Sequence, residues 1–135
     1  MNFLLDTTAF SDLMREHPGL DARLAALDAA DRVFVCSITR GEVAYGIGRL
    51  PDGKKRQALE AKAQRLFAVF PCEPVPVSAG DHYARAKLAR QRNGLPLDEN
   101  DLWIAATALA LGATLVTRDN DFQHIDGLTV ENWSA

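Results

Sequence analysis

Residues 99–119, ENDLWIAATALALGATLVTRD, decide the fold of this 135-residue chain. The sequence predicts a helix from Glu99 to about Leu111, and Gly112 ends it, because glycine readily adopts the left-handed conformation that follows a helix. ATLVT then predicts a strand of β-branched and apolar residues. A helix that leads directly into a buried strand is typical of chains that alternate helices and strands around a parallel sheet.

The rest of the chain continues this alternation. Strands are predicted at NFLL, at RVFVCS, within PCEPVPV and at LTV near the C-terminus. Further helices are predicted at about 7–16, 20–30, 38–49, 54–70 and 81–93, with His17-Pro18-Gly19 as the stop of the first. The pattern predicts one domain over residues 1–135, an α/β three-layer sandwich with a mainly parallel central sheet between helices.

Polar residues before several predicted helices are candidate N-caps. Thr7 or Thr8 is expected to cap the first helix, which would leave the preceding acid free. Ser37 is expected to cap the helix at about 38–49, which contains Glu42. Ser78 and Asp81 have the spacing of a capping box before the helix that follows them.

The composition bounds the class of protein. The chain is 47% hydrophobic and 24% charged, as in an ordinary globular protein. A net charge of -3 lacks the basic footprint of a nucleic-acid-binding domain, although local basic patches stay possible. Cys36 and Cys72 lie among apolar residues and are expected to be free thiols. We see no signal peptide and no apolar stretch long enough to span a bilayer, so a cytoplasmic protein is expected.

Four acidic residues stand where a strand should end or a helix should begin. They are Asp6, Glu42, Asp101 and Asp119. Open α/β sheets bind ligands at the carboxyl ends of their strands. Carboxylates gathered there repel one another, and Mg²⁺, which prefers carboxylate oxygens and water, relieves that repulsion. The sequence therefore predicts a Mg²⁺-dependent phosphodiesterase.

Each acid also has a structural explanation. Asp6 could simply cap the first helix, and Glu42 could be a solvated helix residue. Asp98 and Asp101 have the spacing of an N-cap and the third residue of its helix, so spacing alone leaves both roles open. We favour Asp98 as the cap and Asp101 as the pocket acid. Asp119 begins an Asp-Asn-Asp turn, in which such residues are common.

Two neighbouring residues have open roles as well. The hydroxyl of Thr117 could bond a pocket carboxylate, or the residue could simply end its strand. Arg118 could contact a phosphate or form a surface salt bridge. Neither residue alone identifies a reaction.

LLDTTAF at the N-terminus, the mid-chain Glu42, NDLWIAATAL and LVTRDNDF together resemble the PIN domain. The closest resemblance is to the VapC-like toxin nucleases of bacterial toxin–antitoxin pairs, and the ending IDGLTVENW is similar to their last strand. The likeness covers nearly the whole chain in the right order. It is most specific from Asp101 through Phe122 and loosest around Glu42.

This resemblance implies a twisted parallel sheet and Mg²⁺- or Mn²⁺-dependent cleavage of RNA by metal-activated water. The pocket residues carried over by position, as metal ligands and catalytic groups, are Asp6, Glu42, Asp101 and Asp119. Asp121 would then support the loop. One departure is Asp98, where the family often has glycine, so the carboxylate that takes the metal stays open.

The resemblance also implies partners: an RNA substrate, a cognate antitoxin, a second copy of the chain in a homodimer, and no membrane. Helices 38–49 and 54–70 are the candidate contact surfaces. The main alternative is a non-catalytic PIN-like module that holds RNA or a partner without cutting. The four intact acids argue against it, because unopposed negative charge is costly to retain.

Two other acid-bearing α/β classes fit less well. A receiver-like phosphoacceptor domain should have two adjacent acids after the first strand and a late lysine, whereas this chain has only Asp6 and, later, Arg118. A haloacid-dehalogenase-type phosphatase should have an acid two residues after Asp6, where Thr8 stands.

Overall fold

A five-stranded, wholly parallel sheet forms the centre of the computed structural model, which describes all of residues 1–135. Its strands are β1 (Asn2–Leu5), β2 (Arg32–Cys36), β3 (Cys72–Glu73), β4 (Thr114–Val116) and β5 (Val130–Glu131). The order across the sheet is β3-β2-β1-β4-β5, and each neighbouring pair is parallel. The predicted α/β fold with a parallel sheet is confirmed, although the last strand begins two residues later than LTV suggested.

Six helices cover the two faces of this sheet. They are α1 (Thr7–Met14), α2 (Pro18–Ala25), α3 (Ser37–Gly48), α4 (Lys54–Val69), α5 (Ala79–Arg92) and α6 (Glu99–Ala110). A short 3₁₀ turn spans Asn120–Phe122. No helix is long and apolar enough to cross a membrane.

Side chains on the strands alternate between two hydrophobic cores, because successive residues of a strand point to opposite faces. Phe3 and Leu5 of β1 join the core built with α1 to α4. Leu4, between them, joins the core built with α5 and α6. The chain therefore has three layers, as predicted.

The position of β1 determines where a site can form. β1 lies in the middle of the sheet; the chain first adds β2 and β3 on one side of it and later adds β4 and β5 on the other. Such a reversal of strand order leaves a crevice at the carboxyl ends of the two strands beside it. Leu5 pairs with Val116, so the next residues, Asp6 and Thr117, leave the sheet side by side.

The first two helices begin differently from the prediction. Asp6, and neither Thr7 nor Thr8, is the N-cap of α1, and its carboxylate accepts a hydrogen bond from the Ala9 N–H at 2.8 Å. His17-Pro18-Gly19 starts a helix and does not stop one. Pro18 occupies the first turn of α2, where its missing N–H costs nothing, and the ring of His17 accepts from the backbone of Gly19.

Two predicted serine caps are wrong. The N-cap of α3 is Cys36, since Ser37 is already helical. Ser78 precedes α5, but its backbone is already in the right-handed helical region, whereas a capping side chain usually projects from an extended residue. Ser78 therefore makes no cap hydrogen bond, and the capping box with Asp81 does not form. The predicted free thiols are confirmed, with Cys36 buried and Cys72 half-buried.

Candidate active site

Asp6 lies at the end of β1, where the crevice opens, and only 2% of its surface is exposed. One carboxylate oxygen caps α1 and also accepts from the Thr8 hydroxyl at 2.7 Å. The other accepts a short hydrogen bond from the Thr117 hydroxyl. Burial raises the pKa of Asp6, and these three donors oppose that rise. Asp6 is thus the helix cap, and its carboxylate also lies at the crevice, so capping does not exclude the predicted role as a pocket acid.

Thr117 holds Asp6 from the neighbouring strand. Its hydroxyl oxygen accepts from the backbone N–H of Asp119 at 3.0 Å, so its single proton is available for the carboxylate of Asp6. Of the two roles that the sequence left open for Thr117, the structure selects the bond to a pocket carboxylate. The ends of β1 and β4 are therefore joined through side chains.

Asp101 is the third residue of α6 and is half-buried. Burial raises its pKa to about 7 from the usual 3.8, and nearby negative charge adds to this rise. The carboxylates that supply the charge belong, in decreasing order, to Asp98, Asp119, Glu42 and Asp6. The acids predicted from sequence thus lie close enough to influence one another.

Asp98 is the N-cap of α6, as predicted, and accepts from the backbone N–H of Asn100 at 3.1 Å. Asp98 is exposed, yet among the neighbouring carboxylates its charge raises the pKa of Asp101 the most. The acid that departs from the family pattern therefore makes the ionised form of Asp101 harder to maintain.

Glu42 approaches the crevice from α3 and is held on two sides. One carboxylate oxygen accepts from the Thr7 hydroxyl at 2.5 Å, and the other accepts from the side-chain amide of Asn100 at 3.3 Å. The starts of α1 and α6 therefore fix a residue of α3. Neither supporting residue was predicted from the sequence to hold Glu42; the only signal was their position beside Asp6 and Asp101.

Asp119 begins the 3₁₀ turn, and its carboxylate accepts from the backbone N–H of Asp121 at 2.9 Å. The side chain of Asp121 is exposed and makes no hydrogen bond, so Asp121 contacts the loop through its backbone N–H. Of the two acids, Asp119 is the one whose charge reaches Asp101.

The acid cluster, defined here as Asp6, Glu42, Asp101 and Asp119, has no cation of its own. None of the nine ion pairs of the protein involves any of these four residues or Asp98. Hard oxygen donors without a balancing charge suit Mg²⁺ or Mn²⁺. No three acidic, histidine or cysteine side chains are grouped as a ready-made metal site.

The sequence as a whole gives evidence of a family that does not depend on the acid cluster. The family model of the PIN domain matches residues 3–128. The chain belongs to the PIN domain family.

Relatives of similar length show which PIN domain proteins this chain resembles. It is 31% identical over 137 residues to ribonuclease VapC1 of Haemophilus influenzae strain R2866, and the match covers 99% of each chain. It is 32% identical over 124 residues to toxin FitB of Neisseria gonorrhoeae, covering 86% of each. The predicted resemblance to VapC-like proteins is confirmed.

Solved structures agree. The structure of VapBC-1 from nontypeable Haemophilus influenzae matches with a TM-score of 0.90 and 26% identity over the whole of both chains. VapBC2 from Rickettsia felis, bound to a DNA fragment from its promoter, matches with a TM-score of 0.89 and 27% identity, covering 98% of this chain and 99% of that one.

Arg118 of this PIN domain is tied down beside the acid cluster. Its Nε donates to the Asp12 carboxylate at 2.9 Å, and Ser134 and Arg15 donate to the same group. Burial alone would raise the pKa of Asp12, but these hydrogen bonds and the charge of Arg118 lower it below its usual value. Arg118 therefore joins the end of β4 to α1, and Ser134 joins the C-terminal segment to the same carboxylate. Of the two predicted roles of Arg118, the structure supports the salt bridge.

An open groove of about 610 Å³ adjoins the acid cluster along α3. Glu42 and Asn100 are among its lining residues. Tyr45 lies one turn further along α3 and is 68% exposed, with the guanidinium of Arg49 5.2 Å from its ring centre. Gly41 and Gly46 carry no side chain into the groove, so a ligand strand can approach the backbone of α3.

Proposed function

We propose that this PIN domain is a metal-dependent endoribonuclease of the VapC type, the toxin of a toxin–antitoxin pair. One observation carries the proposal: an acid cluster without any balancing cation stands at the sheet crevice of a chain that matches VapC ribonucleases from end to end. RNA as the substrate and the role as a toxin come from what those relatives are called.

In this proposal Asp6, Glu42, Asp101 and Asp119 are both the metal ligands and the catalytic groups. A divalent cation, when bound, lowers the pKa of an attacking water and neutralises charge on the phosphodiester. The protein supplies orientation: Thr117 sets the rotamer of Asp6, while Thr7 and Asn100 set that of Glu42. Asp98 stays a helix cap.

The carboxyl of Asp101 responds to pH near neutrality. Its pKa of about 7 places the change between its protonated and ionised forms near neutral pH. Holding a cation requires the ionised carboxylate, so cation binding releases protons from this site. The cofactor is Mg²⁺ in our proposal, and Mn²⁺ is the substitute with the same preference for oxygen.

The proposed antitoxin contact is a second groove, between α3 and α4, with a volume of about 290 Å³. Val43, Ile47 and Phe67 supply apolar walls, while Arg40 and Glu60 stand among its lining residues. An amphipathic helix places its apolar face in such a groove. The matched solved structures are VapBC assemblies, which supports a partner of the antitoxin kind for this chain.

Assembly and location complete the proposal. The 135 residues act as one domain in the cytoplasm, and two copies form a homodimer. Tyr45 of α3 and Val69 of α4 are exposed apolar side chains available for contact with the second copy. Light scattering that reports a monomer at high concentration would remove the dimer.

Cleavage of RNA by purified protein tests the activity. We expect cutting in Mg²⁺ that stops in EDTA and is abolished by Asp6→Asn, which keeps a capping side chain. Asp101→Asn should also abolish cutting, whereas Asp98→Asn should be mild, because Asn caps equally well. The matched control is Asp81→Asn, at the third residue of α5 and exposed.

The same preparation separates the alternatives. RNA that is bound but never cut, in any divalent metal, would replace the ribonuclease with a non-catalytic binding module. Expression of the chain alone should arrest growth, and Asp6→Asn should relieve the arrest. A chain that cuts RNA yet leaves its host unharmed without a partner would keep the enzyme and remove the toxin.

A further inference from the structure

A second polar cavity, of about 200 Å³, lies between α5 and the segment that follows the 3₁₀ turn. One face of α5 forms its wall, and residues 123–126 face that wall. Its charged and titratable lining residues are His82, Arg85, Arg90, His124 and Asp126. None of the acid cluster takes part, so this basic cavity is separate from the candidate active site.

Arg90 is the central feature of the basic cavity. It is only 8% exposed and forms no ion pair, although buried arginines are usually paired with a carboxylate. Its Nε donates to the Leu95 carbonyl at 2.6 Å and its Nη1 to the Gln123 carbonyl at 2.9 Å. Nη2 donates to no acceptor in the protein. Because Thr39 Oγ1 is the only fully buried side-chain polar atom without a hydrogen-bond partner, Nη2 must be accessible to solvent. Both N–H donors of Nη2 are therefore free on a buried cation that lines the cavity.

The other basic groups are also without carboxylate partners. Arg85 is exposed, and its Nη2 lies 3.1 Å from Nδ1 of His82. His124 has a φ of 67°, a left-handed conformation that is uncommon outside glycine and that persists where the surroundings hold it. Asp126 is the only acid in the lining, and it makes no hydrogen bond or ion pair. Two arginines and two histidines thus face a single carboxylate.

We propose that the basic cavity binds a phosphate group. The guanidinium fork matches phosphate oxygens, and its charge is always present. The volume of the basic cavity is several times the ~30 Å³ that a water molecule takes in the liquid, so a phosphate fits with hydrating waters. A phosphate on Nη2 of Arg90 supplies the counter-charge that this buried cation lacks.

The position of the cavity points to an RNA backbone as the source, an assignment that rests on the proposed function. The 3₁₀ turn connects Asp119 of the acid cluster directly to Gln123, whose carbonyl accepts from Arg90. An RNA strand cut at the acid cluster can therefore place a phosphate away from the scissile one in the basic cavity. A free phosphate or nucleotide has the same chemistry and is the other source.

The first arm of the test uses inorganic phosphate alone. Protein in EDTA is titrated with phosphate, and amide and imidazole shifts are followed by NMR. We expect saturable shifts centred on His82, Arg85 and His124. Arg85→Gln and His124→Asn should each weaken binding about five-fold, the effect of one lost charged or hydrogen-bonding contact.

The controls keep this result interpretable. Arg65→Gln removes an equally exposed arginine from α4 and should leave the affinity unchanged. Asn tolerates left-handed backbone, so His124→Asn is expected to fold. Absence of saturable shifts in the cavity would overturn the proposal, and so would equal affinities for wild type and both cavity variants.

The second arm identifies the source. A short RNA, kept intact by EDTA, is added to the phosphate-saturated protein. Loss of the phosphate shifts on RNA addition assigns the cavity to the RNA path; persistence of those shifts assigns it to a free phosphate. Cleavage assays run in parallel separate the two proposals. A chain that binds phosphate here but cuts no RNA loses only the proposed function, and one that cuts RNA without binding phosphate loses only this inference.

Discussion

Replacing Asp101 by Asn should make the folded protein more stable at pH 8 when no divalent cation is present. The folded state raises the pKa of Asp101 to about 7, whereas an unfolded chain leaves it at the usual 3.8. Above neutral pH, folding therefore requires an ionised carboxylate in a place where burial and neighbouring acids oppose ionisation. Asn has nearly the same shape and no charge, so it removes that opposition.

The size of the gain follows from the same values. The difference between 3.8 and about 7 corresponds at most to about 4 kcal/mol of unfolding free energy, at ~1.36 kcal/mol per pH unit. Asp101 is only half-buried, and solvent screening reduces the figure to about 1–2 kcal/mol. Loss of a favourable charge near the start of α6 offsets roughly 0.3–1 kcal/mol. We expect a net stabilisation of about 1 kcal/mol.

The size of the stabilisation by Asp101→Asn depends on pH. Between pH 3.8 and about 7 the folded state binds more protons than the unfolded state, so the contribution of Asp101 to stability declines as pH rises. The advantage of Asp101→Asn should therefore be small at pH 4, grow through pH 7 and stay constant above it. Saturating Mg²⁺ should shrink the advantage, because the cation favours the ionised carboxylate of the wild type.

Urea denaturation at pH 4, 6 and 8 in EDTA measures the effect. Asp81→Asn makes the same chemical change at the third residue of α5, away from the acid cluster, and should slightly destabilise the protein at pH 6 and 8. If Asp101→Asn is as destabilising as Asp81→Asn at pH 8, the carboxylate of Asp101 is not under electrostatic stress and the reasoning fails.

Three further predictions follow from the acid cluster. Millimolar Mn²⁺ or Mg²⁺ should raise the thermal midpoint of the wild type and have less effect on Asp101→Asn, measured by calorimetry; equal shifts would contradict a metal site there. At limiting metal, the cleavage rate should fall as pH drops below about 7, because Asp101 takes up a proton, and Asp98→Asn should move that midpoint lower by removing the largest neighbouring charge. A pH profile that is the same for both proteins would refute this. Thr117→Val should cost about 1–3 kcal/mol of stability by taking a hydrogen bond from buried Asp6, while Thr117→Ser should cost less; equal losses in urea melts would mean that the hydroxyl is not responsible.

The elements of this fold could be predicted from the sequence because each leaves a local signal. Apolar runs such as NFLL and ATLVT mark buried strands, and Gly112, at a φ of 60°, ends α6 as expected. The caps were harder to predict. Whether Asp6 or Thr8 caps α1 depends on backbone angles at the end of β1, which the sequence of that segment does not specify.

The candidate site was predictable only in part. Asp6 and Asp119 stand out because they follow the apolar strands β1 and β4, whereas Glu42 and Asp101 lie within helices and carry a weaker signal. Burial with mutual repulsion at Asp101 agrees with the predicted gathering of acids. The contacts that orient Glu42 join residues 35 and 58 positions apart, and a single sequence carries no sign of such pairs. The basic cavity was hidden for the same reason, since Arg90 and Gln123 meet only through the fold.

The central strand of the sheet is also the first of the five strands along the chain. β1 is followed by its neighbour β4 only after more than a hundred residues, and the bond from Thr117 to Asp6 spans 111 positions. Contacts of such long range form late, because loop closure must precede them. A nascent or prematurely ended chain that lacks β4 therefore has no partner on one side of β1 and no completed crevice. The proposed activity therefore requires the chain through β4, and a chain that ends before Thr114 should cut no RNA.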